Sequence, residues 1–176
     1  KSETLRVITN TLIIGGSAGL LRVLSRMDER VHAGLPDLKR ACRDHLMQKW
    51  NKTVTKFIGA SHGGGGVSWA LLKAFPDDAE VRSWALAVLA DEREIYRADL
   101  KGAPRAGKTE PVRAGSWCHG AVGMALLWAG LLDVDPTFVG DIRDVLKKIE
   151  QTPLVDSSLC HGQVGDLELP FLASKL

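Results

Sequence analysis

His-Gly-x-x-Gly occurs three times, as His62-Gly-Gly-Gly-Gly66, His119-Gly120-Ala-Val-Gly123 and His161-Gly162-Gln-Val-Gly165. In the second and third copies a cysteine, Cys118 or Cys160, stands directly before the histidine. A histidine-free version, Gly15-Gly16-Ser17-Ala18-Gly19, lies upstream. Each copy runs at once into an apolar segment, so one turn-into-helix unit repeats along the chain. Histidines and cysteines at equivalent ends of repeated units can converge, which makes a metal centre the first functional expectation. Cys118, Cys160 and His161 would supply two thiolates and one imidazole. That donor set suits zinc, and three protein ligands with an open fourth position is the catalytic arrangement. The ligands are scattered rather than paired as in a zinc finger, so spacing alone leaves the alternatives open.

The glycines also have a purely structural reading. They let helix ends approach closely and allow a positive φ in the preceding turn. A phosphate loop at Gly63–Gly66 is excluded, because no Gly-Lys-Ser/Thr follows and no strand precedes it.

The segments after the motifs, such as Val67-Ser-Trp69-Ala-Leu-Leu72 and Met124 to Leu132, are apolar nearly all round and read as buried helices. Amphipathic segments alternate with them. One opens at Pro36 with the stripe Leu38, Ala41, Cys42, His45 and Leu46. A second follows Pro76 with Val81, Trp84, Ala85, Val88 and Leu89. A third follows Asp135-Pro136 with Phe138, Ile142, Val145, Leu146 and Ile149. Spacings of three and four mark one face of a helix. The stretch Ala98 to Gly115 reads as a loop. The expected fold is all-α, inner helices side by side with outer helices covering them, as a curved double layer or a toroid.

The chain resembles the lanthionine synthetase cyclases. Ser61-His62-Gly63, Trp117-Cys118-His119-Gly120 and Leu159-Cys160-His161-Gly162 are similar to that family's three signature blocks. Ser-Trp-Cys-His-Gly-Ala resembles especially the C-terminal cyclase domain of class II lanthipeptide synthetases, and the likeness extends from about Leu12 to Leu169. The resemblance implies an α/α toroid, bound Zn2+ on Cys118, Cys160 and His161, and His62 as acid/base. His119 would contact substrate or shape the pocket. The implied activity is closure of thioether rings, by adding precursor-peptide cysteine thiolates to dehydroalanine or dehydrobutyrine. The implied partner is a leader-core precursor peptide, with a dehydratase domain or partner supplying the dehydrated residues. Two alternatives accompany this reading: a catalytically impaired toroid that binds zinc and peptide, and thiol (glutathione) addition to other acceptors.

Some positions depart from the family pattern. Leu12 stands where an aspartate is usual, and Ala114 where an arginine is frequent, with Arg113 one place off. Pro170 falls within the last helix, where it would interrupt the hydrogen-bond ladder. Four glycine motifs are fewer than a closed toroid of this family has. The expectation is therefore a single cyclase domain over residues 1–176, partial, lacking N-terminal and final C-terminal repeats. The start at Lys1 fits a piece of a longer polypeptide. Its open edges are expected to expose Leu20, Leu21 and Val23 at one end, and Leu167, Leu169 and Phe171 at the other.

Composition narrows the rest. The chain has 176 residues and a net charge of +2, with both signs interspersed. This offers no basic stripe for nucleic acid and no polybasic membrane patch. No apolar run is long enough to span a bilayer and no signal-peptide pattern opens the chain. Three cysteines are too few for a disulfide scaffold, so reduced thiols and a cytoplasmic location are expected. Cys42 and His45 form another Cys-x-x-His pair, but they lie on an apolar stripe and read as core. His32 reads as solvated. Trp69, Trp84 and Trp128 read as core.

Overall fold

The computed structural model describes residues 16–50, 58–100, 117–118, 120–151, 157–158, 160, 165 and 167–174. The described residues are helical, with no strand among them. Helices α1 (Ser17–Leu24), α3 (Gly64–Ala74), α5 (Ala121–Ala129) and α7 (Glu168–Ala173) alternate with α2 (Leu35–Lys49), α4 (Ala79–Leu100) and α6 (Phe138–Glu150). A single 3-10 turn, Glu29–Val31, lies between α1 and α2.

Packing sorts them into two layers. The first set lies in a row, α1 against α3, α3 against α5 and α5 against α7, while α2 covers α1 and α3, α4 covers α3, and α6 covers α5. Among the described residues no seam of similar extent joins α1 to α7. This is the expected α/α double layer.

The reason lies in the sequence of each helix. Around α5, Ala121, Val122, Met124, Ala125, Leu127 and Trp128 are all buried, as a helix apolar on every side must be. Trp128 is fully buried, edge-on to Tyr96 of α4 with ring centroids 5.2 Å apart and stacked on Phe138 of α6 at 5.7 Å. A second core gathers Leu21, Leu24, Cys42, Leu46, Val67, Leu71 and Val81 from α1 to α4, and Trp84 bridges the two cores from their edge. Charged pairs tie the outer helices to one another. Arg93 and Arg97 of α4 both pair with Asp141 of α6, with Arg97 Nε 3.1 Å from Asp141 Oδ1. Asp78 accepts from the Glu80 and Val81 amides at the start of α4, and also pairs with Arg43 of α2 at 2.9 Å.

Several expectations are revised. Helix α4 runs to Leu100, so the segment read as a loop from Ala98 begins as helix; its residues 101–115 lie outside the described part. Pro170 does not break α7. It occupies the third position, inside the first turn, where the missing N–H belongs to a group without an intrahelical partner anyway. Of the apolar residues expected at the edges, Val23, Leu167 and Phe171 are exposed, whereas Leu21 and Leu169 are fully buried. Each of the two lies on the face turned toward its neighbour: Leu21 in the α1–α4 core, Leu169 against the core around α5. No described helix is long and apolar enough to cross a membrane.

Candidate active site

In three of the four copies the glycine that follows the histidine, or stands in the same place, is the residue from which the helix springs. Gly16, Gly63 and Gly120 all adopt an extended N-cap conformation, and none contributes a side-chain cap. These caps are extended backbone, so the anticipated positive φ is not what the motif glycines provide. Among the described residues that conformation occurs once, at Gly59 with φ 117°, in the turn leading to His62. The Gly59 carbonyl accepts from the Gly63 amide at 3.2 Å and closes that turn.

Close approach is what the motif glycines do provide. A Cβ on Gly123 would collide with the Trp117 carbonyl oxygen, so the first turn of α5 sits directly on the segment bearing Cys118. A Cβ on Gly65 would lie 2.8 Å from Met124 Sδ and 3.0 Å from Leu127 Cδ1, both on α5. Without side chains at these places, α3 and α5 pack with their N-termini together.

Three backbone hydrogen bonds then tie the blocks to one another. The Ser61 and His62 amides donate to the Cys118 carbonyl at 3.0 and 3.2 Å, and the Trp117 amide donates to the Cys160 carbonyl at 3.1 Å. Segments separated by roughly forty to sixty residues thus meet in one line: His62, Cys118, Cys160. The thiols of Cys118 and Cys160 are also in contact. Burial, followed by the adjacent Cys118 thiol, pushes Cys160 up to about 11. Cys118 is buried, Cys160 half-buried and His62 half-buried.

Two soft thiols side by side fit two positions of a thiolate-rich zinc site. The third expected ligand, His161, lies outside the described residues, as do His119, Leu12, Arg113 and Ala114. Among the described residues no group of three or more His, Cys, Asp or Glu side chains comes together. Of the expected set, the structure ties the backbone of the His62 turn to Cys118 and that of the Cys118 segment to Cys160, and it sets the Cys118 and Cys160 side chains next to each other.

The other candidates are placed apart. Cys42 is fully buried in the α1–α4 core, and burial raises its thiol to about 11. His45 is half-buried one turn on, with Nε2 enclosed and without a partner among the described residues. His32 is exposed, its Nδ1 accepting from the Gly34 amide at 3.0 Å.

The sequence profile of the family described as Lanthionine synthetase C-like protein matches residues 5–176. The chain belongs to that family. No curated protein and no solved structure matches it. For a lanthionine synthetase C-like protein, the three blocks joined here are the ones on which the resemblance rested.

One residue of this site escaped the sequence reading. Glu92 of α4 is buried, and its carboxylate accepts from the Gly64 and Gly65 amides, the latter at 2.9 Å. The signal was present: Val81, Ala85, Val88, Leu89, Glu92 and Tyr96 continue one helical stripe, so a carboxylate occupies an apolar position. A buried carboxylate needs donors, and the first turn of α3 supplies them.

Proposed function

We propose that this chain is a zinc-dependent cyclase that closes thioether rings in a dehydrated precursor peptide. The observation that carries the reading is the backbone line joining His62, Cys118 and Cys160, with the two thiols in contact. Cys118, Cys160 and His161 would hold the metal. Zinc bound there would supply Lewis acidity that keeps a substrate thiol ionised near neutral pH, where a free one is mostly protonated. The Cys118 and Cys160 thiolates, as anionic ligands, would keep that substrate sulfur electron-rich.

The bond changes define what the chain's own residues must do. The substrate sulfur forms a bond to the β-carbon of dehydroalanine or dehydrobutyrine. The electron pair of the carbon–carbon double bond moves to the α-carbon and its carbonyl. A proton must then reach the α-carbon. A histidine can deliver it at neutral pH, and His62 is held one hydrogen bond from the Cys118 backbone. Delivering the proton requires His62 to be beside the metal ligands without being one of them.

The test uses the chain with a cysteine-containing, dehydrated precursor peptide and zinc, following the loss of free thiols. Thiol loss above the uncatalysed rate is expected, with about stoichiometric zinc in the wild type and a lower content in Cys160→Ala. His62→Ala should keep its zinc and slow ring closure by roughly 100-fold or more. Thiol loss at the uncatalysed rate would remove the cyclase reading. Equal zinc in wild type and Cys160→Ala would move the metal elsewhere.

A further inference from the structure

We propose that Glu92 is a positioning residue for His62: a buried carboxylate on the outer layer that fixes the turn from which the histidine projects. Its effect on rate rests on the cyclase reading; its hold on the turn does not.

Glu92 is 5% exposed, an expensive setting for a carboxylate unless its oxygens are hydrogen-bonded. Here both oxygens accept from backbone amides, Oε1 from Gly64 and Oε2 from Gly65. These are amides of the first turn of α3, which have no intrahelical acceptor and lie at the positive end of the helix dipole. The run of glycines makes the room. A Cβ on Gly63 would lie 2.6 Å from Glu92 Oε1, and one on Gly65 3.0 Å from Oε2. The four-glycine version of the motif is thus matched to a carboxylate arriving from α4.

On its other side the same turn is held by the Cys118 carbonyl, which accepts from Ser61 and His62. His62 therefore sits between two anchors: its own amide is bound to the Cys118 segment, and the amide two residues on is bound to Glu92. Backbone torsions at His62 and Gly63 have little freedom between fixed points, so the Cα–Cβ direction of the histidine is set by both. The Glu92 oxygens are engaged by amides, so the residue acts through His62 rather than on substrate. A leucine at this stripe position would pack against the apolar neighbours but would leave the two amides without acceptors, at the point where the histidine must be held.

Two readouts on the full chain with zinc test this. Glu92→Gln keeps the shape but offers one acceptor and an NH2 group to two amides. We expect kcat for ring closure to fall on the order of tenfold to a hundredfold with KM and zinc content unchanged, the cost of a slightly misplaced catalytic group. Amide exchange over residues 62–66 should accelerate while that over α5 stays as in the wild type. Glu92→Asp keeps the charge but retracts it by one methylene, and should fall between wild type and Glu92→Gln in both measurements; it also carries the test if the glutamine variant does not fold. A wild type without turnover removes the cyclase reading, and exchange then decides the proposal alone. Wild-type exchange over 62–66 in either variant overturns it, as does an unchanged kcat in an active enzyme, or an aspartate variant no better than the glutamine one.

Discussion

Replacing Gly123 by alanine should destabilise the chain by about 2 kcal/mol, while the same change at Gly140 should stabilise it. The added Cβ at Gly123 would overlap the Trp117 carbonyl oxygen and lie 2.9 Å from the Trp117 carbonyl carbon and 3.0 Å from the Ala60 nitrogen. Non-bonded contacts to carbon are comfortable at about 3.5 Å, and the Trp117 oxygen would lie 1.8 Å from the added Cβ, so the backbone must part by more than about 1 Å. All three neighbours are backbone atoms, and none can rotate away. Overpacking typically costs about 1–3 kcal/mol, and a rigid obstacle places this case at the upper end. Alanine returns about 1 kcal/mol in helix propensity, which leaves the net figure near 2 kcal/mol. For a domain of this size that lowers Tm by roughly 4–8 °C. At Gly140 in α6 an added Cβ meets nothing within 4 Å, so only the gain of about 0.4–1 kcal/mol remains. Urea unfolding of both variants beside the wild type measures the two signs. The displacement at Gly123 would also strain the hydrogen bond from Trp117 to Cys160, so weaker zinc binding should accompany the loss. A Gly123→Ala protein as stable as the wild type, or both variants shifting in the same direction, would refute the close-approach argument.

Trp128→Ala should cost about 3–5 kcal/mol, because a fully buried side chain packed on Tyr96 and Phe138 leaves a cavity; urea unfolding measures it. Cys42 should resist a thiol reagent at pH 8 until the chain unfolds, because it is fully enclosed, whereas Cys160, equally raised but half-buried, should be labelled slowly in the native state without metal; mass mapping of the adducts distinguishes them. Asp78 is held below the usual carboxylate range, first by the Val81 amide and also by Arg43. Its contribution to stability is therefore present above its unfolded-state pKa and lost as pH falls through the lower folded-state value. Asp78→Asn should flatten the acid side of a stability-against-pH curve measured by urea unfolding.

Local pattern was enough for the layers. An all-round apolar run makes an inner helix and a stripe at spacings of three and four makes an outer one, because both depend only on residues within a few turns. The glycine motifs marked where α3 and α5 begin, and Trp128, Phe138, Ile142 and Val145 were legible as core. The reach of α4 to Leu100 was not legible, since a polar helical turn and a polar loop look alike in composition. Leu21 and Leu169 were misplaced for a different reason. Position in the chain suggests an edge, but burial is decided by which face turns toward the neighbouring helix. The same holds for the site. The residue types of Cys118, Cys160 and His62 marked them as candidates, yet nothing near them in sequence says that the Cys118 carbonyl takes the His62 amide or that Cys160 accepts from Trp117. Glu92 is the sharpest case: along its own helix it interrupts an apolar stripe, and only packing α4 against the start of α3 supplies the two amides that account for it.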